Sequence, residues 1–223
     1  MEKVDISTIL ASAIHESKNQ VGTLLYQLQT VKESLGDKAP QNKKIVHIEE
    51  SLKKLNDEWV EYLYLYRLAS DGYELHPDTF LMEEFLDDQV FALSSSANAK
   101  KLELSFDCET GLSGSFDERL MTAVVSTGVY NAFRYAKSSI LLSAYKEDQY
   151  LIITVEDDGP GFNEDEEHHL DALLDDNTGL GLYFAELSAN AHSKNNKLGF
   201  TRKSQSTRLG GACLSIHIPQ SHD

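Results

Sequence analysis

Cysteine is nearly absent from this 223-residue chain: Cys108 and Cys213 are the only two, and no Cys-x-x-Cys pair occurs. That gives no basis for a disulfide framework and fits a reducing cytosol. Positive charge is also scarce. Twenty Lys and Arg against 36 Asp and Glu give a formal charge of -16. A nucleic-acid backbone rewards clustered Lys and Arg, and nothing beyond short pairs such as Lys53-Lys54 is present, so nucleic acid is not an expected partner. Strong acidity favours solubility and can steer a basic partner surface. No apolar run reaches the roughly 18 residues of a membrane span. Residues 1–14 lack the basic and apolar regions of a signal peptide. The chain is therefore expected in the cytoplasm. No internal repeat or low-complexity tract is visible.

What is present is globular: 41% hydrophobic and 25% charged residues, in a length that suits one ordinary domain plus a smaller element. Leu10, Ile14, Val21, Leu24, Leu28, Val31 and Leu35 follow an alternating three-four spacing, with small Ser17 in the remaining slot. That is a heptad seam. Gly36-Asp37-Lys38-Ala39-Pro40 breaks it, and it resumes at Ile45, Ile48, Leu52, Leu55, Trp59, Tyr62 and Tyr66. The spacing predicts two helices in an antiparallel hairpin over residues 1–71. One hairpin leaves an apolar stripe in water, so pairing with a second copy into a homodimeric four-helix bundle is expected. The alternative is packing of the hairpin on the rest of its own chain.

From Tyr73 the texture changes, with Asp71-Gly72 as the boundary of a second domain, residues 72–223. Residues 102–106, 140–145 and 150–155 alternate like strands, and helical stretches are expected at 81–99, 117–136 and 179–191. The fold class is α+β: a helical hairpin followed by an α/β sandwich.

Four short strings carry chemistry. His15 follows the seam residue Ile14, about 100° round the helix, and so faces water. Glu16 is adjacent, and Asn19 lies one turn on, on the same face. A neutral imidazole nitrogen is a competent phosphoryl acceptor, and a neighbouring carboxylate can take or hold the other ring proton. The plain alternative is a surface histidine. On the expected helix 117–136, Thr127, Asn131, Arg134 and Tyr135 share one face. An amide oxygen at Asn131 can ligate Mg²⁺, Arg134 supplies charge for phosphate, and Tyr135 offers a ring for a base. In Asp157-Asp158-Gly159-Pro160-Gly161, the Asp157 carboxylate at a strand end can accept an adenine amino hydrogen, while Gly159 and Gly161 let backbone approach a ligand. Gly179-Leu180-Gly181-Leu182 opens a helix whose amides can face phosphate oxygens.

Taken in order, these strings resemble the core of a sensor histidine kinase over almost the whole chain. His15-Glu16-Ser17-Lys18-Asn19 resembles the His-Glu-x-x-Asn form of the phosphotransfer helix. The downstream strings resemble the N, G1 and G2 boxes of the GHKL-type ATPase fold shared with DNA gyrase. Ser115–Leu120 resembles the approach to the N box, and Gly210–Ile216 the closing strand. The resemblance implies ATP and Mg²⁺ as cofactors, His15 as phospho-acceptor and Glu16 as its acid/base neighbour. Asn19 would then place water for regulator dephosphorylation. It implies a response regulator receiver domain as partner, and a homodimer. Residues 1–8 are too few for a sensor domain, so the signal is expected from a separate sensor protein or from a region absent from this chain.

The departures are specific. Gln20 stands where such kinases carry a helix-kinking Pro. Thr127 occupies the first N-box position, where hydrolytic relatives carry a catalytic Glu. This argues against a free ATPase. Asn177 replaces the first glycine of the G2 box. The segment from about 163 to 178 is short and acidic, and His168 and His169 within it read as solvated loop. His47, His76, His192, His217 and His222 have no metal-ligand spacing. The expectation is an ATP-dependent protein-histidine kinase. The alternative is an ATP-independent phosphotransfer adaptor or regulator phosphatase on the same scaffold.

Overall fold

The computed structural model describes residues 6–35, 42–70, 72–162, 178–194 and 196–220. The chain divides into two compact units, Met1–Gly72 and Tyr73–Asp223.

The first unit consists of α1 (Ile6–Leu35) and α2 (Asn42–Ala69), which pack together. The heptad seam is only partly satisfied by this packing. Val21 and Ile45 are buried, and Leu28, Leu52 and Trp59 are half-buried. Leu24, Val31, Ile48 and Leu55 stay exposed. Tyr62, Tyr64 and Tyr66 are half-buried, and Trp59 meets Tyr62 edge-on at 5.8 Å, one turn away. The Ser70 hydroxyl donates to the Tyr66 carbonyl at 2.8 Å, and the Gly72 amide to the Arg67 carbonyl at 2.9 Å. The Tyr66 carbonyl also accepts from the Ser70 amide at 3.1 Å, so these bonds hold the last carbonyls of α2.

The second unit contains β1 (Asp78–Leu81), α3 (Met82–Ala99), β2 (Glu103–Cys108), β3 (Ser113–Phe116) and α4 (Glu118–Tyr135). It continues with β4 (Ser139–Glu147), β5 (Tyr150–Asp157), α5 (Thr178–Ala191), β6 (Phe200–Gln205) and β7 (Ala212–Pro219). Five strands form one sheet in the order β2-β4-β5-β7-β6, parallel only between β2 and β4. β1 and β3 form a separate antiparallel pair. α3 packs on β2, α4 on β5 and α5, and α5 on β6 and β7. This is the expected α+β architecture. The helices at 82–99, 118–135 and 178–191 start within a residue or so of their expected bounds, as helix ends usually do.

Strand alternation sets which side chains meet the helices. Leu151, Ile153 and Val155 lie on one face of β5, opposite Ala144 and Leu142 of β4 and Leu214, Ile216 and Ile218 of β7. All but Leu214 are less than 5% exposed. Gly128 of α4 fits onto this layer, where an added Cβ would lie 3.0 Å from Val155 and 3.7 Å from Leu214. Asp157 continues the same series, so it ends β5 on the side covered by α4. β3 is fastened to the far end of the sheet by Gln220. Its side-chain oxygen accepts from the Ser115 amide at 2.7 Å, and its amide nitrogen donates to the Ser115 carbonyl at 3.1 Å.

Candidate nucleotide site

Helix α4 is held at its start by Asp117. Its Oδ1 accepts from the Leu120 amide at 3.1 Å, the bond expected of an N-cap aspartate. Its Oδ2 accepts from the Tyr73 hydroxyl at 3.0 Å and the His76 amide at 2.9 Å. The Asp117 amide donates to His192 Nε2 at 2.9 Å, and His192 Nδ1 lies 2.7 Å from the Ser188 carbonyl. Nε2 must therefore be bare and Nδ1 protonated: the imidazole is neutral. Burial pulls its pKa below the ordinary value, against upward pulls from the Ser188 carbonyl and the Asp117 charge. One carboxylate and one imidazole thus join the start of the second unit, the start of α4 and the end of α5.

Along α4, Leu120, Met121, Val124, Val125, Gly128, Val129, Ala132 and Phe133 are buried. Thr127 and Asn131 are half-buried, while Arg134 and Tyr135 are exposed. The Arg134 guanidinium sits 5.9 Å from the Tyr135 ring centroid, within cation–π range.

β5 delivers Asp157, which is 5% exposed. Its Oδ1 accepts from the Gly159 amide at 2.7 Å and the Ala212 amide at 3.2 Å. Its backbone carbonyl accepts from the Gly211 amide at 3.0 Å. These bonds fix the carboxyl group, and Oδ2 has no hydrogen-bond partner among the described residues. The surrounding turn is too tight for side chains. A Cβ on Gly159 would fall 2.5 Å from the Tyr135 carbonyl oxygen, and one on Gly211 would fall 2.4 Å from the Gly159 nitrogen. Gly161 takes a φ of +87°, which favours glycine. Phe162 follows, with the Lys203 ammonium 5.7 Å from its ring.

Asp158, next to Asp157 in sequence, has different work. Its carboxylate accepts from the amides of Lys137 and Ser138 and from the Ser138 hydroxyl. Burial pulls its pKa upward, but hydrogen bonds from Ser138, Ser139 and Lys137 outweigh this and hold it far below the ordinary carboxylate value.

Gly179, Leu180, Gly181 and Leu182 occupy the first turn of α5, which begins at Thr178. Gly181 is buried, and Leu180 and Leu182 are half-buried. Residues 163–177, with Asn177, His168 and His169, lie outside the described residues. His15, Glu16 and Asn19 all lie in α1. The side chains of His15 and Glu16 are outside the description, and Asn19 is exposed. Among the described residues no group of His, Cys, Asp and Glu forms a metal cluster. An Mg²⁺ role at Asn131 would thus depend on phosphate oxygens to complete the coordination.

The sequence singled out Asp157 and the glycines as candidates, but gave no role to Asp117, Asp158, His192 and Gly211, whose hydrogen bonds and close contacts frame the turn and α4. An N-cap signal was available for Asp117, since an aspartate precedes the helix start by one residue. His192 and Asp158 gave no local signal, because their partners lie 75 and about 20 residues away.

Residues 116–222 match the family described as histidine kinase-, DNA gyrase B-, and HSP90-like ATPase. The chain is 28% identical over 162 residues to sensor protein PhoQ of Escherichia coli K12, covering 69% of this chain and 31% of that protein. It is 27% identical over 221 residues to sensor protein RstB of the same strain, covering 94% of this chain and 48% of the relative. The chain therefore spans 31% and 48% of the length of these two relatives. Among solved structures, the histidine kinase AdeS of Acinetobacter baumannii aligns with a TM-score of 0.62 at 19% identity, over 92% of this chain and 97% of that one. Full-length ShkA in complex with AMPPNP aligns with a TM-score of 0.68 at 21% identity, over 97% of this chain and 46% of that one. Residues 116–222 are a domain of this ATPase family, and the chain is homologous to sensor histidine kinases. No described helix is long and apolar enough to cross a membrane.

Proposed function

We propose that this chain is an ATP-dependent protein-histidine kinase. It moves the γ-phosphoryl group of ATP to His15, then to an aspartate of a response regulator receiver domain. It also serves as that regulator's phosphatase. The observation that carries the nucleotide half is Asp157. It is a buried carboxylate with one oxygen fixed by two backbone amides and the other unclaimed by any described residue, at the end of α4 that carries Arg134 and Tyr135. A carboxylate only accepts, so it selects a base that offers an amino group. The adenine amino group fits, with the Tyr135 ring beside it. The amides opening α5 at Gly179–Leu182 face anionic oxygens, and Arg134 adds positive charge. The Asn131 amide oxygen suits Mg²⁺, which neutralises phosphate charge when bound.

Phosphoryl transfer of this kind asks mainly for positioning. One imidazole nitrogen of His15 forms the N–P bond as the bond to the ADP oxygen breaks, and Glu16 balances the charge on the ring. The receiver aspartate then takes the phosphoryl group from the imidazole. Asn19, about 6 Å further along the helix axis, orients water toward the aspartyl phosphate in the reverse, regulatory direction. ATP and receiver domains meet in the cytoplasm, where this reading sets the reaction.

Incubation with γ-labelled ATP and Mg²⁺ tests the proposal. The label is expected on this chain, lost in acid, and absent from His15→Gln, whose ADP affinity stays within about twofold of wild type. Acid-labile label retained by His15→Gln overturns the assignment. Asp157→Asn exchanges an acceptor for a donor and is expected to weaken ADP binding by about 1.5–3 kcal/mol, the range of a hydrogen bond to a charged group. Calorimetry reads that loss directly.

A further inference from the structure

The two adjacent aspartates after β5 diverge. Asp157 presents its carboxylate to the nucleotide side, whereas Asp158 sends its own to the point where the chain leaves α4. Asp158 Oδ1 accepts from the Lys137 amide at 2.7 Å and the Ser138 amide at 3.0 Å. Oδ2 accepts from the Ser138 amide at 3.1 Å and the Ser138 hydroxyl at 2.6 Å. Lys137 and Ser138 directly follow Ala136, the C-cap of α4, and lead into β4. One side chain thus closes both ends of a junction. On one side are Asn131, Arg134 and Tyr135. On the other are Asp157 and the glycine turn.

A second contact closes the same junction. Gly159 lies against the Tyr135 carbonyl so closely that a Cβ there would meet it at 2.5 Å. Tyr135 is the last residue of α4, and the C-cap Ala136 has already left helical geometry, with ψ 141°. Helix ends fray unless something outside the helix holds them. Here the Lys137 and Ser138 amides and the Ser138 hydroxyl donate to Asp158, while the Ser138 carbonyl accepts from the Glu103 amide of β2 at 2.8 Å. Hydrogen bonds to an ionised carboxylate are the stronger kind, and the depressed pKa of Asp158 keeps them charge-assisted.

We propose that Asp158 is a positioning residue for nucleotide recognition, fixing the Arg134–Tyr135 end of α4 against the Asp157 carboxylate so that base ring and amino group are read together. The inference rests on the nucleotide reading given above. Asp158 touches no nucleotide in this account. It acts through the last turn of α4. Without it, that turn separates from Asp157 and the ligand must order it on binding, which lowers affinity rather than the rate of transfer.

The test uses the full chain, with ADP affinity measured by calorimetry and His15 labelling measured against ATP concentration. Asp158→Ala is expected to bind ADP about tenfold more weakly, the scale of one lost charge-assisted hydrogen bond. Its KM for ATP rises to match, while kcat stays within about twofold. A change in stability alone leaves KM untouched in the folded fraction. Asp158→Asn keeps an oxygen for the two amides and is expected to recover a good part of the loss. Ser138→Ala removes only the hydroxyl donor. It is expected to weaken ADP binding a few-fold, and it decides the matter if Asp158→Ala does not fold. Wild-type ADP affinity in Asp158→Ala or, where that variant does not fold, in Ser138→Ala overturns the proposal while leaving the nucleotide site intact. A fall in kcat with KM unchanged overturns it too. Failure of the wild-type chain to bind ADP at millimolar concentration overturns the nucleotide reading and this role together.

Discussion

At the scale of single residues, His192 makes the clearest claim. It accepts from the Asp117 amide through Nε2, a bond that only the neutral ring can form. Its folded-state pKa lies below the ordinary value of about 6.5 because burial opposes the charge. The unfolded chain therefore takes up a proton first as pH falls. Stability is complete above the ordinary imidazole value and declines below it, until the folded pKa is passed. His217 is displaced in the same direction, by burial and by Arg202, so it contributes to the same decline. His192→Gln isolates the first contribution. Thermal unfolding from pH 8 to pH 5 is expected to show a shallower loss below pH 6.5 in that variant than in wild type. Identical slopes would place the titration elsewhere. His192 was read from the sequence only as a histidine without metal spacing, and its partner 75 residues earlier explains why. Asp157 was legible because its chemistry is local: a carboxylate at a strand end before closely spaced glycines. That its neighbour Asp158 faces the opposite way was not, since both are aspartates in one string and only the fold separates them.

At the scale of elements, α4 is the part most exposed to a single change. Asp117 caps it, and the same carboxylate holds Tyr73 and His76. Loss of an N-cap costs about 0.5–2 kcal/mol. Asp117→Ala also leaves the Tyr73 hydroxyl and the His76 amide without this acceptor, so the upper part of that range is expected in urea unfolding. Asp117→Asn, which keeps one acceptor oxygen, is expected to lose less, and equal losses would count against the cap. The long, periodic elements were legible: both hairpin helices, α3, α4, α5 and the apolar β4 and β5. β1, β3 and β6 were not. β1 and β3 have four residues each, too few to set a period, and β3 reads Ser-Gly-Ser-Phe. β6 reads Phe-Thr-Arg-Lys-Ser-Gln, and as an edge strand it carries charge where an inner strand carries apolar residues. Its place comes from pairing with β7, a long-range fact with no local trace.

At the scale of the whole molecule, the hairpin leaves its seam half-used. Leu24, Val31, Ile48 and Leu55 are between 39% and 48% exposed, although they occupy the same periodic stripe as buried Val21 and Ile45. A second copy of the hairpin would cover such a stripe, and a homodimer is the assembly we propose. The exposure separates assembly from folding. A carboxylate at Leu55 is comfortable on a single hairpin but unpaired and buried in a bundle. Leu55→Asp is therefore expected to give a folded, helical monomer in light scattering where wild type is a dimer. Ile45→Asp, at a position already 8% exposed within one copy, is expected to damage the hairpin itself. A dimeric Leu55→Asp would show that the stripe is covered in another way.

Insertion of β7 between β5 and β6 has a consequence for how the protein is made. Synthesis runs from the amino end, so β6 emerges before β7, its one sheet neighbour among the described residues. The Gln220 clasp on Ser115, 105 residues apart, closes later still. Until β7 appears, β6 and the outer edge of β5 stand open, and such unpaired edges invite wrong partners. The nascent second unit must wait, nearly complete, for one eight-residue strand. Chains whose β6 is free while β7 is still unpaired are the ones whose open edges proteases and chaperones can reach.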